Sequence, residues 1–83
     1  MSAQQEVRNI LGQTLQLGQR VDQLDAASPL LGALPELDSM AVVTILTAIE
    51  EHFGFSVDDD EISADTFATL GTLTAFVEQK LAS

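Results

Sequence analysis

The chain is short and acidic: 83 residues, with 13 Asp and Glu against Arg8, Arg20 and Lys80, for a formal charge of −10. That balance argues against nucleic acid and anionic membrane surfaces, which need Lys and Arg, and favours basic partner surfaces met in fast, salt-sensitive encounters. An apolar share of 46% is enough for one folded domain over residues 1–83, yet no apolar run is long enough to span a membrane and no Cys is available for a disulfide framework.

The N-terminal MSAQQEVRN lacks the basic-then-apolar layout of a signal peptide, so a cytoplasmic protein is expected. Residues 3–16 read as a first helix, with Val7, Ile10, Leu11 and Thr14 on one face and Leu15 at its edge. Residues 17–38 form a long connection broken by Gly18, Ser28-Pro29, Gly32 and Pro35. Its Leu24, Leu30, Leu31, Leu34 and Leu37 are expected to fold it back onto the core. A second helix starts at Asp38 or Ser39, with Asp38 as N-cap, and runs to about Phe53, where Gly54 is the stop signal. Val42, Ile45, Leu46, Ile49 and Phe53 share its core face; Met40, Thr44, Thr47 and Glu51 share the opposite face, and Ser39, Val43 and Glu50 lie between. Phe55 and Val57 anchor the next loop, ahead of the acid run Asp58–Glu61 and an inward Ile62. Ser63 caps a short turn at about 64–68, and Thr72 caps a last helix over about 72–82 with Leu73, Phe76, Val77 and Leu81 inward. Lys80 suits the negative end of that helix.

Ser39 is the candidate site. A hydroxyl at a helix N-terminus is a good place to hang a phosphate, because orphan backbone N–H groups and the helix dipole both favour an anion there. Hydrolysis by a Ser–His pair is excluded within the chain. The only histidine, His52, lies 13 positions on in the same helix, on the order of 20 Å away at about 1.5 Å per residue. His52 reads as a solvated residue near a helix C-terminus. The Asp58–Glu61 run lacks the spaced ligands and Gly of an EF-hand loop and reads as a solvated, self-repelling loop, with weak Mg²⁺ or Ca²⁺ binding as the alternative. No metal site is assigned, and no pocket-forming bulk surrounds the carboxylates for glycosidase-like work. Met40 and Val43 beside Ser39 are candidates for partner docking.

Taken together, Asp38-Ser39-Met40, the Ala48-Ile49-Glu50-Glu51-His52-Phe53-Gly54 helix end and the Phe67-Ala68-Thr69-Leu70 segment before the last helix resemble acyl carrier proteins over roughly residues 3–82. The resemblance implies an all-α fold, a small acyl-carrier-like four-helix bundle of three longer helices plus one short helix. It implies that Ser39 is the attachment point of 4′-phosphopantetheine, transferred from coenzyme A by a phosphopantetheinyl transferase that recognises Asp38. The arm's thiol would carry acyl groups as thioesters between loading ligases and acyltransferase or synthase partners with basic docking surfaces. The protein itself is then no enzyme, and a monomer is expected. Glu50 and Glu51 match the acidic end of the family's recognition helix.

Four positions depart from the family pattern. Glu36 stands where the family usually has Gly, Met40 replaces the usual Leu, and Ala41 and Thr44 occupy positions that are often acidic in fatty-acid-synthesis carriers. The first half of the recognition face is therefore neutral. A dedicated partner is expected to read it through Met40, Val43, Thr44 and Thr47, with a basic residue meeting Glu51. The Leu31-Gly32-Ala33-Leu34-Pro35-Glu36-Leu37-Asp38-Ser39-Met40 stretch is similar to stand-alone carriers associated with exosortase and exopolysaccharide systems. The rival readings are an aminoacyl or peptidyl carrier and an unmodified interaction module that keeps the fold without the chemistry. A further expectation is that the apolar core parts to shelter an acyl chain.

Overall fold

Val7, Ile10 and Leu11 recur at helical spacing, and residues Ala3–Thr14 wind into α1 with all three buried. The computed structural model describes residues 3–82, apart from the side chain of Asp59. α1 stops two residues before the expected end at 16. Gln16 takes a left-handed backbone, φ 55°, and Gly18 follows at φ 61°, so the right-handed helix cannot continue. Leu15 and Leu17 are nonetheless buried at this corner.

α2 spans Ser39–Phe53 within the expected limits. Asp38 is extended and its Oδ1 accepts the Ala41 N–H at 2.8 Å, which satisfies one orphan donor of the first turn. At the other end Gly54 adopts φ 80°, a conformation open to glycine at no steric cost, and its N–H closes on the Glu50 carbonyl. Ile45 and Ile49 are fully buried; Val42, Leu46 and Phe53 pack at the edge of the same core.

α3 spans Leu70–Ala82 and begins two residues before the expected start at Thr72. Thr69, not Thr72, is the cap. The Thr72 N–H donates to Thr69 Oγ1 at 3.1 Å and the Thr69 N–H donates to Thr72 Oγ1 at 3.0 Å, a reciprocal box with threonine at both ends. The earlier start buries Leu70 and brings Gly71 against the long connection, where a Cβ on Gly71 would lie 2.7 Å from the Ala26 carbonyl oxygen. Leu73 and Val77 are buried as expected and Phe76 is half-buried. Leu81, expected inward, is 48% exposed because it lies in the last turn, beyond the packed part of the helix.

α1 packs against both α2 and α3, and the three helices enclose one core. The fourth, short helix is a 3-10 turn, Ala64–Phe67, that buries Phe67. Thr66 Oγ1 accepts the Ser63 N–H and the Thr66 N–H donates to the Ser63 carbonyl, so the turn closes at both ends on Ser63 backbone. Two further 3-10 turns, Gly18–Gln23 and Asp59–Glu61, lie in the connections. No strand is present among the described residues; Pro29 and Thr69 form a lone antiparallel bridge. Around that bridge the long connection is tied to the start of α3. Leu30 and Leu31 donate to Ala68 and Phe67 carbonyls, while Leu70 and Gly71 donate to Ser28 and Ala26 carbonyls, all at 2.9–3.0 Å. Leu30 and Leu37 are buried and Leu24 and Leu34 half-buried, as expected. Leu31 is 42% exposed, since its backbone is the part used in the ladder.

Candidate functional site

The sequence places Ser39 directly after a capping aspartate, and the fold makes it the first residue of α2. Its side chain is exposed and its hydroxyl has no partner among the described residues. The backbone N–H groups of Ser39 and Met40 have no protein acceptor either, because Asp38 spends its carboxylate on Ala41 and the first helical bond runs from Val42 to the Asp38 carbonyl. A free hydroxyl beside two open donors at the positive end of a 15-residue helix suits an anionic group attached at Ser39. Leu37, buried just before the cap, anchors the site to the core.

From Ser39 the exposed face of α2 continues through Met40, 73% exposed, and Val43, 59% exposed. Thr44 and Thr47 lie on the same exposed surface. Their hydroxyls donate to the carbonyls of Met40 and Val43 at 3.0 Å, which leaves their methyl groups to solvent and makes the face more apolar than its composition suggests. Glu51 is exposed at the far end. Glu50 is half-buried, and its Oε2 accepts the Val57 N–H at 2.6 Å. The carboxylate expected to face partners therefore also pins the chain that leaves α2. A shallow cleft of ≈ 200 Å³ lies alongside, lined by Val43, Leu46, Thr47, Glu50, Val57, Asp58 and Ile62.

His52 is exposed and lies about three and a half turns from Ser39, with Nε2 3.2 Å from Glu6 Oε1 on α1 and its ring edge-on to Phe53. It therefore links two helices. In the acid run, Glu61 Oε2 accepts the Asp58 N–H at 2.8 Å and Oε1 accepts from Lys80 at 2.8 Å. Those two bonds hold the Glu61 carboxyl below the usual carboxylate range, the Asp58 N–H contributing most and Lys80 next. Among the described residues no group of three or more His, Cys, Asp or Glu is placed to hold a metal ion. Lys80 thus meets a carboxylate in addition to the helix dipole.

One pairing next to the site has no signature in the sequence. Arg20, in the first 3-10 turn, grips Glu36 with both terminal nitrogens, Nη1 to Oε2 at 2.5 Å and Nη2 to Oε1 at 3.1 Å. The hydrogen bonds from Arg20 hold the Glu36 carboxyl below its ordinary range, and Glu36 in turn raises Arg20. Sixteen residues separate the two, and no spacing rule reports such a contact.

The comparisons with known proteins agree with this geometry. A family model described as "Phosphopantetheine attachment site" matches residues 5–77. The solution NMR structure of a holo acyl carrier protein from Nitrosomonas europaea is 63% identical, covers 100% of both chains and superposes with a TM-score of 0.93. The chain belongs to the acyl carrier protein family, whose fold is the small all-α bundle found here. No curated protein matches the chain. Its function is that of a phosphopantetheine-based carrier that delivers acyl intermediates to partner enzymes, and it is not itself a catalyst. No helix among the described residues is long and apolar enough to cross a membrane.

Proposed function

We propose that Ser39 is the residue that carries 4′-phosphopantetheine, placed there from coenzyme A by a phosphopantetheinyl transferase that recognises Asp38. The observation that carries the assignment is the free, exposed Ser39 hydroxyl at the first position of α2, with the neighbouring N–H groups open and Asp38 already committed to the cap. The description of the Nitrosomonas europaea structure as a holo protein supports it. When bound, the arm supplies the thiol that holds acyl groups as thioesters; the residues of this chain supply its address.

That address is the exposed apolar strip of Met40, Val43, Thr44 and Thr47, closed by Glu51, which meets a basic residue of the partner. Glu50 adds its negative charge while holding Val57 in place. The strip is neutral along its first half, which favours a dedicated partner, the reading under which the chain is a stand-alone carrier of the exosortase or exopolysaccharide type. The strong acidity and the leucine-rich connection favour a fatty acyl cargo over an aminoacyl one; the cleft beside Val43 and Leu46, lined also by Thr47, Glu50 and Asp58, does not separate the two. Residues 1–83 act as one carrier domain, monomeric and cytoplasmic.

Intact-mass measurement after incubation with coenzyme A and a broad-specificity phosphopantetheinyl transferase tests the assignment. One phosphopantetheine unit is gained by the protein and none by the Ser39→Ala variant. A gain that persists in the variant overturns the choice of Ser39. A folded protein that gains nothing, and that lacks the modification when isolated from its own source, is instead an unmodified interaction module.

A further inference from the structure

The chain has three cations against 13 acids, and all three are used to tie segments together. Lys80 binds Glu61, Arg8 donates to the Leu24 carbonyl at 3.4 Å, and Arg20 binds Glu36. Two of these ties therefore fall on the connection that leads to Ser39. The Arg20 tie is bidentate, the geometry in which a guanidinium fork fixes the orientation of a carboxylate as well as its position.

Its placement matters for Ser39. Between the Leu30–Leu31 ladder and buried Leu37, the chain passes through Gly32 at φ 87°, exposed Ala33 and exposed Pro35, and the Asp38 N–H turns back onto the Glu36 carbonyl at 3.2 Å. Glu36 is three residues before Ser39. Fixing its side chain fixes the start of the turn that delivers the Asp38 cap and the Ser39 hydroxyl. The other end of the tie is Arg20 in the Gly18–Gln23 turn, next to buried Leu17 and half-buried Val21.

We propose that Arg20 and Glu36 form a positioning clasp that sets how the Ser39 turn is presented to the transferase. The inference rests on Ser39 being the modified residue. Neither residue touches the reacting atoms; the pair acts through the backbone of Leu37 and Asp38. Because both side chains are solvent-accessible, breaking the clasp leaves the core intact and changes recognition.

The test is a double-mutant cycle of Arg20→Gln, Glu36→Gln and the double variant in the full chain, with transferase kinetics and amide hydrogen exchange measured on each. Each single change raises the KM for the carrier about threefold, the scale expected for a well-formed surface pair, with kcat unchanged. The double variant is no worse than either single one, and Arg20→Lys, which keeps the charge and loses the fork, falls between. The Leu37 and Asp38 amides exchange faster in every broken variant of the unmodified protein, while the melting temperature falls by no more than a few degrees. An unchanged KM, a lower KM or additive effects overturn the proposal, and so does unchanged exchange at Leu37 and Asp38. If the parent protein does not load at all, the assignment of Ser39 fails, and the exchange measurement still decides whether the clasp holds the turn.

Discussion

The two halves of α2 put similar exposure to different use. Through the first half and as far as Thr47, the Met40 and Val43 side chains reach solvent, while Thr44 and Thr47 turn their hydroxyls back to the helix. In the second half, Glu50 holds Val57, His52 meets Glu6 and the Phe53 ring stacks at 6.0 Å on Phe55. One half is left open to other molecules; the other fastens the helix to its own protein, and only Glu51 remains unengaged there. A recognition helix must be held firmly somewhere to present a clean face elsewhere, and this chain divides the tasks along the axis.

The comparison breaks most visibly at the core. Ile49→Ala removes a fully buried side chain and is expected to cost about 2–5 kcal/mol in denaturant unfolding, whereas Met40→Ala shifts stability by no more than about 0.5 kcal/mol while slowing acyl transfer to the partner. Asp38→Ala comes next. It removes the N-cap and is expected to cost about 1 kcal/mol of stability, with slower loading by the transferase in the mass assay. Glu50→Ala frees the Val57 N–H and is expected to cost about 1 kcal/mol, against nearly nothing for Glu51→Ala, so two adjacent acids separate in a thermal melt.

The smallest effect follows from the segment just after α2. The Glu61 carboxyl is depressed in the folded state, so the stability from its two bonds is fully present above the ordinary carboxylate value of 4.5 and is lost as pH falls through its lower folded value. Melting temperatures of the parent and of Glu61→Gln are therefore expected to differ at neutral pH and to converge as pH falls below the depressed folded value of Glu61. Taking the difference removes the relief of self-repulsion that the whole acidic chain feels on acidification.

α2 was legible because both of its ends are chemical: an aspartate that caps and a glycine that stops, with a core stripe of period 3.6 between them. The place of Ser39 at the start of that helix was legible for the same reason. The start of α3 was not, because Thr69 and Thr72 are equally good caps three residues apart; the choice falls to burial of Leu70 and the close approach of Gly71 to Ala26, neither of which is local. The exposure of Leu31 and Leu81 escaped the same way, since an isolated leucine in a loop or a final turn carries no period. Contacts between residues far apart in the chain, Arg20 with Glu36 and His52 with Glu6, leave no trace in spacing.

The backbone ladder between residues 26–31 and 67–71 has a mechanical consequence. It splices the first connection to the root of α3, so those two segments travel together as one rigid body, with α1 packed against α3 on its other side. α2 has no such backbone splice among the described residues; it is held by packing on α1, by His52 against Glu6 and by Glu50 on the Val57 N–H. If the interior swells to admit a guest, the side-chain contacts of α2 are expected to give before the backbone ladder does, with the 54–62 segment restrained by the Lys80–Glu61 pair. Because that helix begins at Ser39, the proposed attachment point, a filled and an empty carrier are expected to show their partners differently angled faces.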